Sequence, residues 1–145
     1  METLGSHLNG PFASLTEQVI GAAIEVQRAL GPGLLESAYE ACLAHELELR
    51  GLTAQRQVPL GITYRGLEIP YAFRMDLVIE NTLVVELKTV EIIAPEHEAQ
   101  MLSYLRFSGH PIGLILNFKA FPMGKKGIRR FLNEAFPGFS SVSSV

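Results

Sequence analysis

Apolar positions recur along this chain with two different periods, and the switches between them mark out its elements. Over 14–30 the spacing is helical. Val19, Ala23, Val26 and Leu30 fall on one stripe, Ser14 and Glu17 match a capping box, and Gly31-Pro32-Gly33 stops the helix. A second helical stretch covers 34–50, with Leu35, Tyr39, Cys42, Leu43 and Leu47 on one face and Gly51 at its end. The period then falls to two. Residues 53–73 predict a hairpin turning near Arg65-Gly66, and residues 74–90 predict another. Pro95 suits the first turn of a third helix, Glu96 and Glu98 suit its positive end, and Gly109-His110-Pro111 terminates it. Met101, Leu102 and Leu105 are its core positions. IGLILNF, 112–118, predicts a short buried strand, and a basic helix is expected over 125–134.

That order predicts an α/β fold: a mixed sheet flanked by helices. The 145 residues fit one domain, placed at 14–136 between a flexible leader, 1–13, and a flexible tail, 137–145. A hydrophobic content of 48% with 19% charged residues reads as globular. No run reaches the ~18 apolar residues a membrane span needs, so no membrane partner is expected. The N-terminus lacks a signal-peptide pattern, and a cytoplasmic location is expected. The single cysteine, Cys42, excludes an intrachain disulfide or a cysteine metal cluster.

Net charge is −3, which argues against non-specific coating of nucleic acid. The distribution is uneven. Lys119, Lys125, Lys126, Arg129 and Arg130 lie in a stretch with no acid, so a local phosphate-binding patch on an acidic body is one reading, and a solvated helix face is the other.

The chemistry concentrates in RMDLVIENTLVVELKTV, 74–90. This apolar hairpin carries Asp76 (the only aspartate in the chain), Glu86 and Lys88. By alternation Arg74, Asp76 and Val78 share a face, and Met75, Leu77 and Ile79 share the other. A three-residue connection, Glu80-Asn81-Thr82, would pair Ile79 with Leu83, Asp76 with Glu86 and Arg74 with Lys88. A two-residue connection would throw the acids onto opposite faces. In the first register the acids sit ~5 Å apart at Cβ and repel unless something answers them. Mg²⁺ or Mn²⁺ would, and Lys88 could then orient water or offset charge on a phosphate. A plainly wet sheet face is the alternative. His97, Gln100 and Tyr104 form a polar stripe on the next helix, and Glu36 shares a face with Tyr39 on the second.

GLLESAY, 33–39, resembles the signature of the GxxExxY proteins, a bacterial group within the PD-(D/E)XK nuclease superfamily. The resemblance continues through ITYRG, RMDLVIE, VVELK, HEAQMLSYL and GLILNF, roughly 15–120. Gln27 departs from it, standing where many such sequences have histidine. The resemblance implies a restriction-endonuclease-like αβββαβ core and Mg-dependent phosphodiester hydrolysis. It makes Asp76 the first acid and Glu86 and Lys88 the E-x-K element. Gln100 and Tyr104 match a Q-x-x-x-Y element, and Glu36 matches a helix carboxylate and third metal ligand. Lys125, Lys126, Arg129 and Arg130 are then candidates for phosphate contacts. The partner expected is nucleic acid, DNA ahead of RNA. Two other readings stand beside it: an inactive nuclease-fold module acting in nucleic-acid binding or homo-oligomeric assembly, and hydrolysis of a smaller phosphoester.

Overall fold

Two amphipathic helices open the fold in a computed structural model that describes residues 10 and 12–136. The tail at 137–145 and most of the leader, 1–9 and 11, lie outside the described residues. Helix α1 (Ala13–Leu30) buries Val19, Ala22, Ala23 and Val26, and α2 (Glu36–Leu49) buries Tyr39, Leu43 and Leu47. Leu30 and Leu35, expected on those stripes, flank the Gly31-Pro32-Gly33 turn and are exposed. Ser14 does not cap α1. The N-cap is Phe12, whose ring meets Phe136 edge to face, and Ser14 accepts hydrogen bonds from the Gln18 amide instead.

Five strands follow: β1 (Ala54–Tyr64), β2 (Leu67–Ile79), β3 (Leu83–Lys88), β4 (Ile112–Asn117) and β5 (Ile128–Leu132). They form one sheet in the order β1-β2-β3-β4-β5. Only β3 and β4 run parallel, joined by the crossover helix α3 (Pro95–Ser108); the other neighbours are antiparallel. Arg65 and Gly66, both at positive φ, make the expected two-residue turn between Tyr64 and Leu67. The helices α1 and α2 cover one sheet face, packing on Leu77, Ile79, Leu83, Val85, Leu114 and Leu116. Helix α3 covers the other, where Met101, Tyr104 and Leu105 meet Met75, Val78, Val84 and Ile115. Each side chain fully buried this way contributes ~1.5–3 kcal/mol. Leu102 faces outward. The result is the α/β, restriction-endonuclease-like arrangement. No helix among the described residues is long and apolar enough to cross a membrane.

The expected basic helix over 125–134 is corrected. Only one turn forms, α4 (Gly124–Gly127), and the chain then becomes β5. Phe131 packs into the α3-side cluster and Leu132 into the opposite one, which is strand alternation. The strand pairs with β4, whose backbone groups would otherwise lie unpaired along a sheet edge. Tertiary pairing here overrides the helical appearance of the charge pattern.

Buried Asn117 fastens the segment beyond β3. Its Oδ1 accepts the Val90 and Lys119 N–H groups, and its Nδ2 donates to the Val90 carbonyl at 2.7 Å. Asn117→Ala would leave these backbone groups without partners. It should lower stability by about 2 kcal/mol in urea unfolding, against a change near zero for Ala in place of a solvated amide such as Gln100 on α3.

Candidate functional site

The hairpin carrying the acids has the three-residue connection. Glu80 and Asn81 take positive φ, and Ile79, Val78 and Leu77 pair with Leu83, Val84 and Val85. The Glu80 carboxylate also accepts the Thr53 N–H, tying the hairpin tip to the start of β1. The backbone ladder between β2 and β3 stops at Leu77. One residue further, the acids take over. Asp76 Oδ2 accepts the Leu87 N–H at 3.0 Å, and Glu86 Oε1 accepts the Asp76 N–H at 3.4 Å. Each carboxylate is tied to the strand that bears the other.

Side-chain alternation slips at the same place. Met75, expected beside Leu77, packs with Val78 and Val84, while Leu77 stays with Ile79. Strand β1 slips in step. Arg56 pairs with Leu77 and Val58 with Met75, and Gln57 between them lies at φ 53°. The expected Arg74–Lys88 pairing is absent, because the β2–β3 ladder ends at Leu77 and Val85.

The electrostatics follow from burial. Glu86 is 7% exposed. Its carboxyl is pushed up to about 8, first by burial and then by the Asp76 charge, against the pull of Lys88 and the Asp76 N–H. Asp76 is also raised. Burial leads, the Leu87 N–H opposes it, and Glu40 and Glu36 add to it. Lys88 Nζ stands 3.9 Å from Glu86 Oε2. One amine thus answers two crowded carboxylates, a balance that favours a cation. Among the described residues no three His, Cys, Asp or Glu side chains are gathered as a metal cage. Two hard oxygen donors suit Mg²⁺ or Mn²⁺, which keep waters and phosphate oxygens in their shell, and do not suit an ion needing an all-protein cage.

Glu36 lies exposed at the start of α2, where its Oε2 accepts the Thr89 N–H at 3.0 Å. It is not clustered with Asp76 and Glu86, although its charge reaches both. Tyr39, three residues on, donates its hydroxyl to the Gly31 carbonyl at 2.6 Å and stacks on Phe118. GLLESAY therefore fastens the turn before α2 to the sheet and brings Glu36 to the end of β3. Gln27 is buried and donates to the Phe118 and Ala120 carbonyls, pinning the segment after β4.

Gln100 and Tyr104, one turn apart on α3, have different surroundings. Gln100 is exposed, and no hydrogen bond joins it to Lys88 among the described residues. Tyr104 is buried and donates to the Arg74 carbonyl at 3.3 Å. The phenol thus satisfies a β2 carbonyl beyond the point where the β2–β3 ladder ends. Burial, with Glu86 and Asp76 nearby, holds that phenol well above its ordinary range and keeps it a donor. His97 caps α3, its Nδ1 accepting the Ala94 N–H. Of the basic residues, Lys125 and Lys126 are exposed on α4. Arg129 and Arg130 point to opposite sides of β5, and Arg129 pairs with Glu98 on α3 at 3.5 Å. The four do not form one stripe.

Glu40 is missing from the sequence reading. It is 4% exposed, and it accepts from Arg56 at 3.0 Å and from Gln57 at 2.7 Å. Its signal was its position one helical turn after Glu36.

The family model for the PD-(D/E)XK nuclease superfamily matches residues 13–131. No curated protein and no solved structure matches the chain at a significant level.

A carboxyl whose pKa is raised by folding holds its proton more tightly in the folded state. Without divalent ions, Glu86 therefore costs stability as pH climbs from about 4.5 to about 8, and the cost is absent below that window. The penalty should be on the order of a few kcal/mol. Thermal unfolding in chelator should show Glu86→Gln gaining Tm over the parent chain at pH 8 and little or nothing at pH 4.5.

Proposed function

The chain belongs to the PD-(D/E)XK nuclease superfamily, and from that membership we propose that it hydrolyses phosphodiester bonds in nucleic acid with a bound Mg²⁺ or Mn²⁺. Such nucleases generally use divalent metals. The observation that carries the reading is the pairing of half-buried Asp76 with buried Glu86, held across the split between β2 and β3 with Lys88 beside it.

Asp76 and Glu86 would hold the ion, with the Leu87 carbonyl as a further candidate. When bound, the ion supplies Lewis-acid stabilisation of charge on a phosphate oxygen. Lys88 holds the attacking water and offsets charge developing on the phosphate. Glu36 adds negative charge from its seat on Thr89 and strengthens cation binding without joining a three-carboxylate cage. Tyr104 acts as a positioning residue, fixing β2 through the Arg74 carbonyl where the strand leaves the ladder. Gln100, exposed on α3, reaches toward nucleic acid rather than toward Lys88. Lys125 and Lys126 meet backbone phosphates, with Arg129 and Arg130 contributing from β5. Such contacts position a strand without reading its sequence. DNA ranks ahead of RNA as substrate.

A second reading, an inactive module that self-assembles, has one observation in its favour. The outer half of the β1–β2 hairpin exposes Tyr64, Leu67 and Tyr71. Light scattering at micromolar concentration separates the two when read beside activity.

Labelled DNA and RNA should be cleaved in Mg²⁺ or Mn²⁺ and spared in chelator. Asp76→Asn, Glu86→Gln and Lys88→Ala should each lower the rate by at least about a hundredfold while far-UV dichroism stays native. Undiminished cleavage in Asp76→Asn would remove the proposal.

A further inference from the structure

Beyond the acids, the same end of β3 and β4 opens into a cavity of about 560 Å³ lined by Val90, Glu91, Lys119, Phe121, Lys125 and Lys126 among others. Lys88 and Asn117 are partners on the two parallel strands, and Val90 and Lys119 each lie two residues further on. At ~3.3 Å per residue the cavity begins within ~7 Å of Lys88 along the chain. Its walls are fastened. Asn117 bonds both the N–H and the carbonyl of Val90, and Gln27 holds the Phe118 and Ala120 carbonyls.

The lining has two distinct characters. Glu91 and Lys119 neutralise one another at 2.9 Å. Among the described residues no carboxylate pairs with Lys125 or Lys126, so the cavity keeps two positive charges. Phe121 is 58% exposed, and no ring among the described residues stacks on it. An open aromatic face beside two cations, in a space of nucleotide size, is the combination that binds single-stranded nucleic acid. Base pairs inside a duplex cannot use the ring, because both of their faces are already covered by their neighbours.

We propose that this cavity takes an unpaired nucleotide next to the bond to be cut, with its base on Phe121 and its phosphate at Lys125 and Lys126. The proposal rests on the nucleic-acid reading above and deepens it. The preferred substrate is single-stranded, or a duplex carrying an unpaired overhang.

The chain has no tryptophan, so Phe121→Trp places one indole reporter in the cavity. In chelator, its emission should be quenched by oligothymidylate and oligouridylate, and left unchanged by a blunt duplex or an abasic strand of equal length. In fluorescence anisotropy, Phe121→Ala should weaken single-strand binding about tenfold and leave duplex binding unchanged. Lys125→Ala with Lys126→Ala should weaken both and flatten the salt slope for single strands by about 1.4. Equal quenching by the abasic strand, or a Phe121→Ala variant that binds single strands like the parent, would overturn the subsite. If cleavage still depended on Lys88, the nuclease reading would stand. Base-dependent quenching without cleavage in any metal buffer would support the subsite and overturn hydrolysis instead.

Discussion

Everything at this site depends on a gap in one ladder. Strands β2 and β3 are hydrogen-bonded as far as Leu77 and Val85, and then the backbone pairing gives out. Asp76 and Glu86 close the gap with their side chains, each accepting an N–H from the opposite strand. An ordinary ladder would leave two carboxylates merely facing each other. Here each has part of its acceptor capacity committed to the backbone, which fixes its direction. Burial and mutual repulsion raise the free energy of the doubly ionised pair. The pair is therefore rigid and short of positive charge, and a divalent ion answers that shortage better than one amine 3.9 Å away.

The surroundings hold the gap open from several directions. Tyr104 keeps the Arg74 carbonyl satisfied beyond the end of the ladder. Glu40 binds Arg56 and Gln57 at the point where β1 slips in step with β2. Glu36 takes the Thr89 N–H just past the end of β3. Helices α2 and α3 thus act from opposite sheet faces on the same few residues. Substitutions in this shell would loosen the acids without touching them, because a buried network whose members share partners does not lose them independently.

Charge is sorted by depth. Glu86 and Glu40 are buried and Asp76 is half-buried, while Lys125 and Lys126 stand exposed on α4. A polyanionic strand would meet the cations of α4 before it reached the two acids between β2 and β3. This arrangement also lets a chain of net charge −3 offer a local anion site.

The sequence by itself determined the local decisions. Helical and alternating periods placed α1, α2, α3 and the first four strands. Arg65-Gly66 gave the first hairpin its turn, because turn chemistry is a property of neighbouring residues, whereas the choice between a two- and a three-residue connection at Glu80-Asn81-Thr82 was made only in the folded sheet. Only the tertiary structure decided which backbone groups were left over once the sheet was assembled, and so where the remaining polar side chains went. Tyr104 went to the Arg74 carbonyl, Glu36 went to Thr89, and 128–132 became a strand because β4 had an open edge. Each of those outcomes depends on a partner distant in sequence, and a periodic pattern carries no record of such partners.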